Sequence, residues 1–379
     1  MHSHTRRGFF ARLSAGWMGL SILERAFFSA AQARAQAPAA PAGLFELEKV
    51  AEGVWAAIAR PVAMINCNAA IFENANDLLV VDAHSKPSAA ATLIADLRKI
   101  TPKPVRYVVN THFHFDHVGG NSAYAKVAPG ADFISSTATR DLILKRSEAA
   151  MKSMAEGLPK EIEHLEQQRA RAKDPRARAH FEQGVAEAKA FLAELRGMPV
   201  ELPNITFDRD LVIHDKAHEL RLSFRGRGHT AGDVIVWCPE KKVLASGDLL
   251  HGFLPYVGDG YPREWPATLQ SIAELDFRHV IGGHGEVQDT RERLPQMAAY
   301  IGELTEAVSR GKEQGRTVEQ LQKEITPATL KSLAGTYGEY VAAQSVRYSF
   351  DAALSTPAEA LAEGVTGTVA ATFRALENK

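Results

Sequence analysis

Past residue 43 the chain alternates between short apolar runs and turn-forming residues. Four runs, residues 43–50 (GLFELEKV), 53–59 (GVWAAIA), 68–73 (NAAIFE) and 77–82 (DLLVVD), are separated by Asn, Asp and Gly and predict successive β-strands. Apolar positions then recur at helical spacing over about residues 87–100, with Pro87 near the start, which predicts a helix. A buried strand follows at 105–110 (VRYVVN), then a short helix at 118–127 and a strand at 131–136 (ADFISS). Strand patterns resume at 210–214, 217–224, 233–240 and 241–248. A helix at 263–275, a strand at 279–285 and a mainly helical tail complete the order.

Residues 137–197 break this pattern. They are rich in Ala, Glu, Lys and Arg, and the segment KDPRAR (173–178) interrupts two long helical stretches. The segment reads as a helical hairpin inserted between core elements, its charges lying on solvated faces. A lid over the active site or a dimer contact are the functional roles open to it. The expected organisation is an export signal at 1–37, a linker at 38–43, a core domain at 44–290 carrying the insertion, and a helical region at 291–379.

The signal assignment rests on residue order. Arg6 and Arg7 precede Phe9 and Phe10, a moderately apolar stretch and small residues in an A-x-A arrangement, with cleavage expected between Ala33 and Ala37. Thr5 to Phe10 resembles the twin-arginine type of signal, so a twin-arginine translocase is the expected export partner and the periplasm the expected location. Glu24 and Arg25 interrupt the apolar middle and argue against a membrane span.

Composition adds mainly exclusions. The chain has 379 residues, 45% hydrophobic and 23% charged, as a soluble globular protein with a large core would. Its 44 basic and 45 acidic side chains leave a formal charge of -1. There is no overall positive field to gather nucleic acid, and no such partner is expected. Cys67 and Cys238 lie in apolar runs and read as buried thiols; they are too few for a Cys-rich zinc cluster.

The chemistry concentrates in residues 111–117, THFHFDH. His112 and His114 lie two apart at a strand end, and imidazole nitrogens suit zinc. Asp116 and His117 are placed to face a second metal across the same loop. Single histidines elsewhere (His84, His164, His180, His214, His218, His279) read as ordinary core or surface residues. Three later segments repeat one form, a strand-like run followed by a Gly-flanked ligand type: His229 in GRGHTAGD, Asp248 in LASGDLL and His284 in IGGHG.

Taken in order, H-x-H-x-D-H at 112–117, G-H-T-x-G-D at 228–233, S-G-D at 246–248 and G-H-G at 283–285 resemble the metallo-β-lactamase superfamily of hydrolases. The resemblance implies an αββα sandwich, two face-to-face sheets with helices outside and metals at one edge. It places His112, His114 and His229 on a first metal, Asp116, His117 and His284 on a second, and Asp248 on both. Asp233 and Thr230 would orient these ligands. The aspartate at 248 and the histidine at 114 are closer to glyoxalase-II and lactonase relatives than to zinc lactamases with a cysteine or di-iron relatives with a glutamate. Two zinc ions per chain are implied, with iron or manganese also compatible with the ligand set.

The mechanism so implied is hydrolysis by a metal-bridging hydroxide that attacks a carbonyl of a lactone, thioester, ester or β-lactam, with a small molecule as substrate. Asp116 would orient the hydroxide or shuttle a proton, and Tyr256 or His251 would donate to a developing oxyanion. Phe253, Tyr256 and Trp265 are expected to pack their own loop. The alternatives are a mononuclear iron persulfide dioxygenase and, less favoured by export and charge, a nuclease.

Overall fold

A computed structural model describes residues 43–61 and 66–377, so the signal and nearly all of the linker expected upstream lie outside the described residues. Among the described residues, twelve strands form two sheets. The first holds β1 (Phe45–Ala51), β2 (Val54–Ala59), β3 (Ala69–Glu73), β4 (Leu78–Val81), β5 (Val105–Val109), β6 (Asp132–Ser136) and β7 (Ile205–Phe207) in sequential order. Strands β1 to β4 pair antiparallel and β4 to β7 parallel. The second sheet runs β12 (His279–Gly282), β11 (Val243–Gly247), β10 (Val234–Cys238), β9 (Glu219–Phe224), β8 (Asp210–His214), with only β11 and β12 parallel.

Strand parity shows why this is a four-layer sandwich. Leu79 and Val81 of β4 join Phe72 and Val109 against Leu220, Leu222, Val234 and Val236 of the second sheet. The intervening Leu78 and Val80 face the other way. They pack on Leu93, Ile94 and Leu97 of helix α1 (Pro87–Ile100), with Tyr124 of α3 (Asn121–Val127) alongside. All four β4 residues are buried, as a strand covered on both faces must be. Beyond the second sheet, Ile235, Leu244 and Val280 meet Trp265 and Leu269 of α6 (Trp265–Ala273) and Met297, Tyr300 and Ile301 of α7 (Arg293–Glu313). Each large apolar side chain so buried contributes about 1.5–3 kcal/mol.

The inserted hairpin consists of α4 (Thr137–Arg171) and α5 (Pro175–Leu195). Ser136 caps α4 by accepting from the Thr139 N–H, and Asp174 with Pro175 starts α5. Leu158, Leu165, Phe181, Val185 and Phe191 give the hairpin its own core. Many of its charges do lie on solvated faces, as in the pair Lys189–Glu166. Glu187 and Glu194 are exceptions: they bond Lys86 and Ser88 at the start of α1 and so fasten the hairpin to the sandwich. The tail continues from α7 through α8 (Val318–Glu324) to α9 (Thr336–Tyr348) and α10 (Pro357–Ala375). Thr317 with Gln320, and Thr356 with Glu359, form capping boxes that start α8 and α10.

Two details depart from the sequence reading. Strand β7 is only three residues long, too short to show alternation, and is specified by its parallel pairing with β6. Asp116 and His117 lie on a one-turn helix, α2 (Phe115–Val118), where an open loop is expected. Both cysteines are buried and free. Among the described residues no helix is long and apolar enough to cross a membrane.

Candidate metal centre

The centre forms where strand ends from both sheets meet. Strand β4 ends at Val81, and the next residue, Asp82, takes a left-handed backbone turn (φ 66°). Its carboxylate thereby sits under the loop after β5. There Asp82 Oδ1 accepts from the Thr111 N–H at 2.8 Å, and Oδ2 accepts from the Thr111 hydroxyl at 2.9 Å and His117 Nδ1 at 2.8 Å. The loop carrying His229 is closed by Asp233, which accepts from the Thr230 N–H and hydroxyl; burial pushes its carboxyl up to about 6. The Val234 N–H donates to the Thr111 carbonyl and ties the two loops together.

Glycines permit the final approach. Gly247 has φ 51° and lets β11 turn against Thr111 to deliver Asp248. At Gly283 a Cβ would occupy the space of Asp248 Oδ1 and press on His117, so only glycine allows the His284 loop this close. Asn68 holds that loop by donating from Nδ2 to the carbonyls of Gly282 and Gly285.

All seven expected ligands converge, in two groups. His112 Nε2 lies 3.1 Å and His229 Nε2 2.8 Å from His114 Nδ1, with Asp248 Oδ2 3.4 Å from His229 Nε2. On the other side, Asp116 Oδ2 lies 3.4 Å from His117 Nε2 and 3.2 Å from His284 Nε2; Asp248 Oδ1 lies 3.3 and 3.6 Å from the same two nitrogens. The two oxygens of Asp248 therefore face different groups. None of the six histidines read as ordinary joins either one.

The far ring nitrogens fix the tautomers. Thr111 spends its hydroxyl proton on Asp82, so its oxygen accepts from His112 Nδ1 at 3.0 Å. His114 Nε2 donates to Asp259 at 3.1 Å, His117 Nδ1 to Asp82, and His229 Nδ1 to the Tyr256 carbonyl at 3.1 Å. The rings of His112, His114 and His229 therefore each turn a lone pair toward the centre. Lone pairs at 2.8–3.1 Å repel unless a cation lies between them. His117 Nε2 and Asp248 Oδ1 are buried and neither makes a hydrogen bond among the described residues. These unsatisfied donor atoms, imidazole nitrogen and carboxylate oxygen, fit divalent metal ions of the zinc, iron or manganese kind.

Electrostatics divides the groups. Burial, reinforced by neighbouring imidazoles, pushes His112 well below its ordinary value and His229 down to about 3. Burial opposes charge on His284 too, but Asp248 and Asp116 outweigh it and hold that imidazole up to about 9. Both carboxyls stay well below their usual range: burial works against them, and His117 and His284 prevail.

Of the two donors expected beside the metals, His251 is 5% exposed and its Nδ1 accepts from the Phe253 N–H at 3.0 Å. Burial pushes this imidazole down to about 4, so it is neutral and its proton resides on Nε2. Its ring lies 5.7 Å from that of His284. The Tyr256 hydroxyl lies over Gly258; the residue meets the centre through its carbonyl, at His229 Nδ1, and through its ring, edge-on to His114 at 6.0 Å and to His229 at 6.3 Å. Trp265 is fully buried and donates from Nε1 to the Leu249 carbonyl, packing the loop as expected, whereas Phe253 stacks on His284 of a different loop.

Asp82, Asp259 and Asn68 go unrecognised in the sequence reading. Asp82 does carry a signal, since DLLVVD ends a strand on a ligand-type residue just as LASGD does. Asp259 shows only as an aspartate between two glycines, and Asn68 as the polar start of a strand.

The family model described as "Metallo-beta-lactamase superfamily" matches residues 64–284, more than half of the chain and including all seven residues. "Metallo-beta-lactamase type 2" of Elizabethkingia meningoseptica is 29% identical over 90 residues, which is 22% of this chain and 36% of that protein. The chain thus spans little more than a third of that relative's length. Two solved structures, metallo-beta-lactamases from Pontibacter korlensis and Hirschia baltica, are 19% and 18% identical. They cover 67% and 69% of this chain and 98% of their own, with TM-scores of 0.49 in both cases. On the family match, this chain belongs to the metallo-beta-lactamase superfamily.

Proposed function

We propose that the chain is a metal-dependent hydrolase that holds two metal ions, zinc in the first instance, and adds water across the acyl bond of an ester, thioester, lactone or β-lactam of a small molecule. The observation that carries this reading is Asp248, whose two oxygens address two separate sets of ligand nitrogens. Metal ions bound there supply Lewis acidity and bring the pKa of a coordinated water from about 15.7 toward about 7.

The residues do the rest. His112, His114 and His229 form the first half and Asp116, His117 and His284 the second. Asp116, kept ionised beside two imidazoles, orients the attacking water by accepting its hydrogen bond. The water's proton ends on the departing alkoxide, thiolate or amine, so one water is consumed and an acid and a protonated leaving group are formed, in a single ring-opened molecule where the substrate is a lactone or β-lactam. His251, neutral and with its proton on Nε2, is the first candidate donor to the oxyanion; Tyr256 is the second. Export by a twin-arginine translocase to the periplasm remains our proposal for its location.

Elemental mass spectrometry of the purified chain tests the metal reading. About two zinc ions per chain together with hydrolysis within a panel of lactones, thioesters and β-lactams supports it. One iron per chain with oxygen consumption on a persulfide overturns it.

A further inference from the structure

The hairpin lies outside the sandwich, yet α4 reaches the tri-histidine half at two points. At its start, Ser136 Oγ and Thr139 Oγ1 donate to the Gly232 carbonyl at 2.6 and 2.8 Å, in the loop that carries His229. Farther along, Arg146 Nη1 pairs with Asp259 Oδ1 at 2.6 Å. The other oxygen of Asp259 accepts from His114 Nε2 at 3.1 Å. The Arg146 guanidinium also lies 4.9 Å from the ring centre of Phe113, the residue between His112 and His114.

We infer that Arg146 is a positioning residue for the first metal, acting through Asp259 on His114, and that the hairpin is thereby a strut of the metal centre. The inference rests on the two-metal reading above. Asp259 sits in a loop whose backbone is tied by the Gly260 N–H to the Val257 carbonyl and by the Tyr261 N–H to the Gly228 carbonyl, and Arg146 reaches its carboxylate from the hairpin, outside that loop. A guanidinium suits this role, because it is always charged and presents its donors in a rigid plane. The anchored carboxylate keeps the proton of His114 on Nε2 and leaves Nδ1 bare toward the metal. Side-chain exposure falls along the relay, from 42% at Arg146 to 16% at Asp259 and 9% at His114. Loss of the outer, partly solvated group should therefore weaken metal binding less than loss of the inner one.

The test uses Co(II) as the probe, titrated into metal-free full-length chain against a competing chelator, with the visible d–d spectrum recorded alongside. Arg146→Met is expected to weaken the first Co(II) bound about 10-fold and Asp259→Asn about 100-fold, the range seen for groups that orient metal ligands, with altered spectra in both. Arg146→Lys, which keeps the charge without the fork, should fall between wild type and Arg146→Met, and stands in if the methionine variant misfolds by circular dichroism. Lys189→Met removes an exposed hairpin ion pair away from the relay and should change nothing. Wild-type affinity and spectrum in Arg146→Met overturn the inference, as does an equal loss in Lys189→Met. If the wild-type chain itself takes up no metal, the two-metal reading fails instead.

Discussion

The two halves of the centre are built from similar ligands but held differently. In the first, all three histidines have the far nitrogen fixed, by the Thr111 hydroxyl, the Asp259 carboxylate and the Tyr256 carbonyl. In the second, among the described residues only His117 has such a tether, to Asp82, while His284 is located by its glycine-rich loop and by stacking on Phe253. The first half presents preformed lone pairs at fixed geometry. The second relies on charge, with two carboxylates gathered around two imidazoles. Preorganisation of this kind favours filling the first half before the second.

Removing both His112 and His114 by alanine substitution gives the largest expected effect. Turnover should fall at least about 10³-fold, the several kcal/mol that a Lewis acid contributes, and elemental analysis should show the first metal gone. His284→Ala sharpens the contrast, because it should leave close to one metal per chain; retention of two would erase the distinction between the halves. Next in size is the substrate side. His251→Phe is expected to lower kcat about 10²-fold, as loss of an oxyanion donor does, whereas Tyr256→Phe keeps the carbonyl that holds His229 and should change kcat little. Steady-state kinetics on both variants decide which residue donates, and the opposite ranking would return that role to Tyr256.

Asp82→Ala crosses the division. It removes the tether of His117 in one half and the acceptor that orders Thr111, and with it His112, in the other. Both metal affinities should drop, by about 10- to 100-fold each, in chelator competition; loss in the second half alone would mean that Thr111 holds His112 unaided.

The smallest effect concerns the wall behind the second half, where His84 is fully buried and donates from Nδ1 to the Cys67 carbonyl. Burial pushes its imidazole down to about 3, against 6.5 when exposed. Below pH 6.5 the unfolded chain takes up a proton that the folded chain refuses. Stability is therefore complete above pH 6.5 and is lost as the pH falls toward 3, at about 1.4 kcal/mol per pH unit. Urea unfolding at pH 7 and pH 5 reads this slope. His84→Asn tolerates the left-handed backbone at this position (φ 66°) and should flatten the slope, whereas an unchanged slope places the acid sensitivity in another group.

Much of this molecule is legible in residue order. The alternation in β9, the helical spacing of α1 and the interruption at KDPRAR are local patterns with a direct physical cause, and each appears as an element of the expected type. The ligand residues are legible too, because imidazoles and carboxylates at Gly-flanked strand ends have few structural uses. Strand β7 and the one-turn helix α2 were not, since three or four residues carry no periodicity.

By itself, then, the sequence determined most of the segments that become strands and helices, short β7 and α2 excepted, and which side chains are chemically able to hold a metal. The tertiary structure decided how those side chains are aimed. It set one oxygen of Asp248 toward each half, placed Asp259 behind His114, and brought Arg146 from an inserted helix to hold it. His114 and Asp259 are separated by 145 positions, and Arg146 and Asp259 by 113. Contacts across such distances leave no local signature. They depend on the packing of whole layers, which fixes the orientation of a ring nitrogen only after the sandwich has closed.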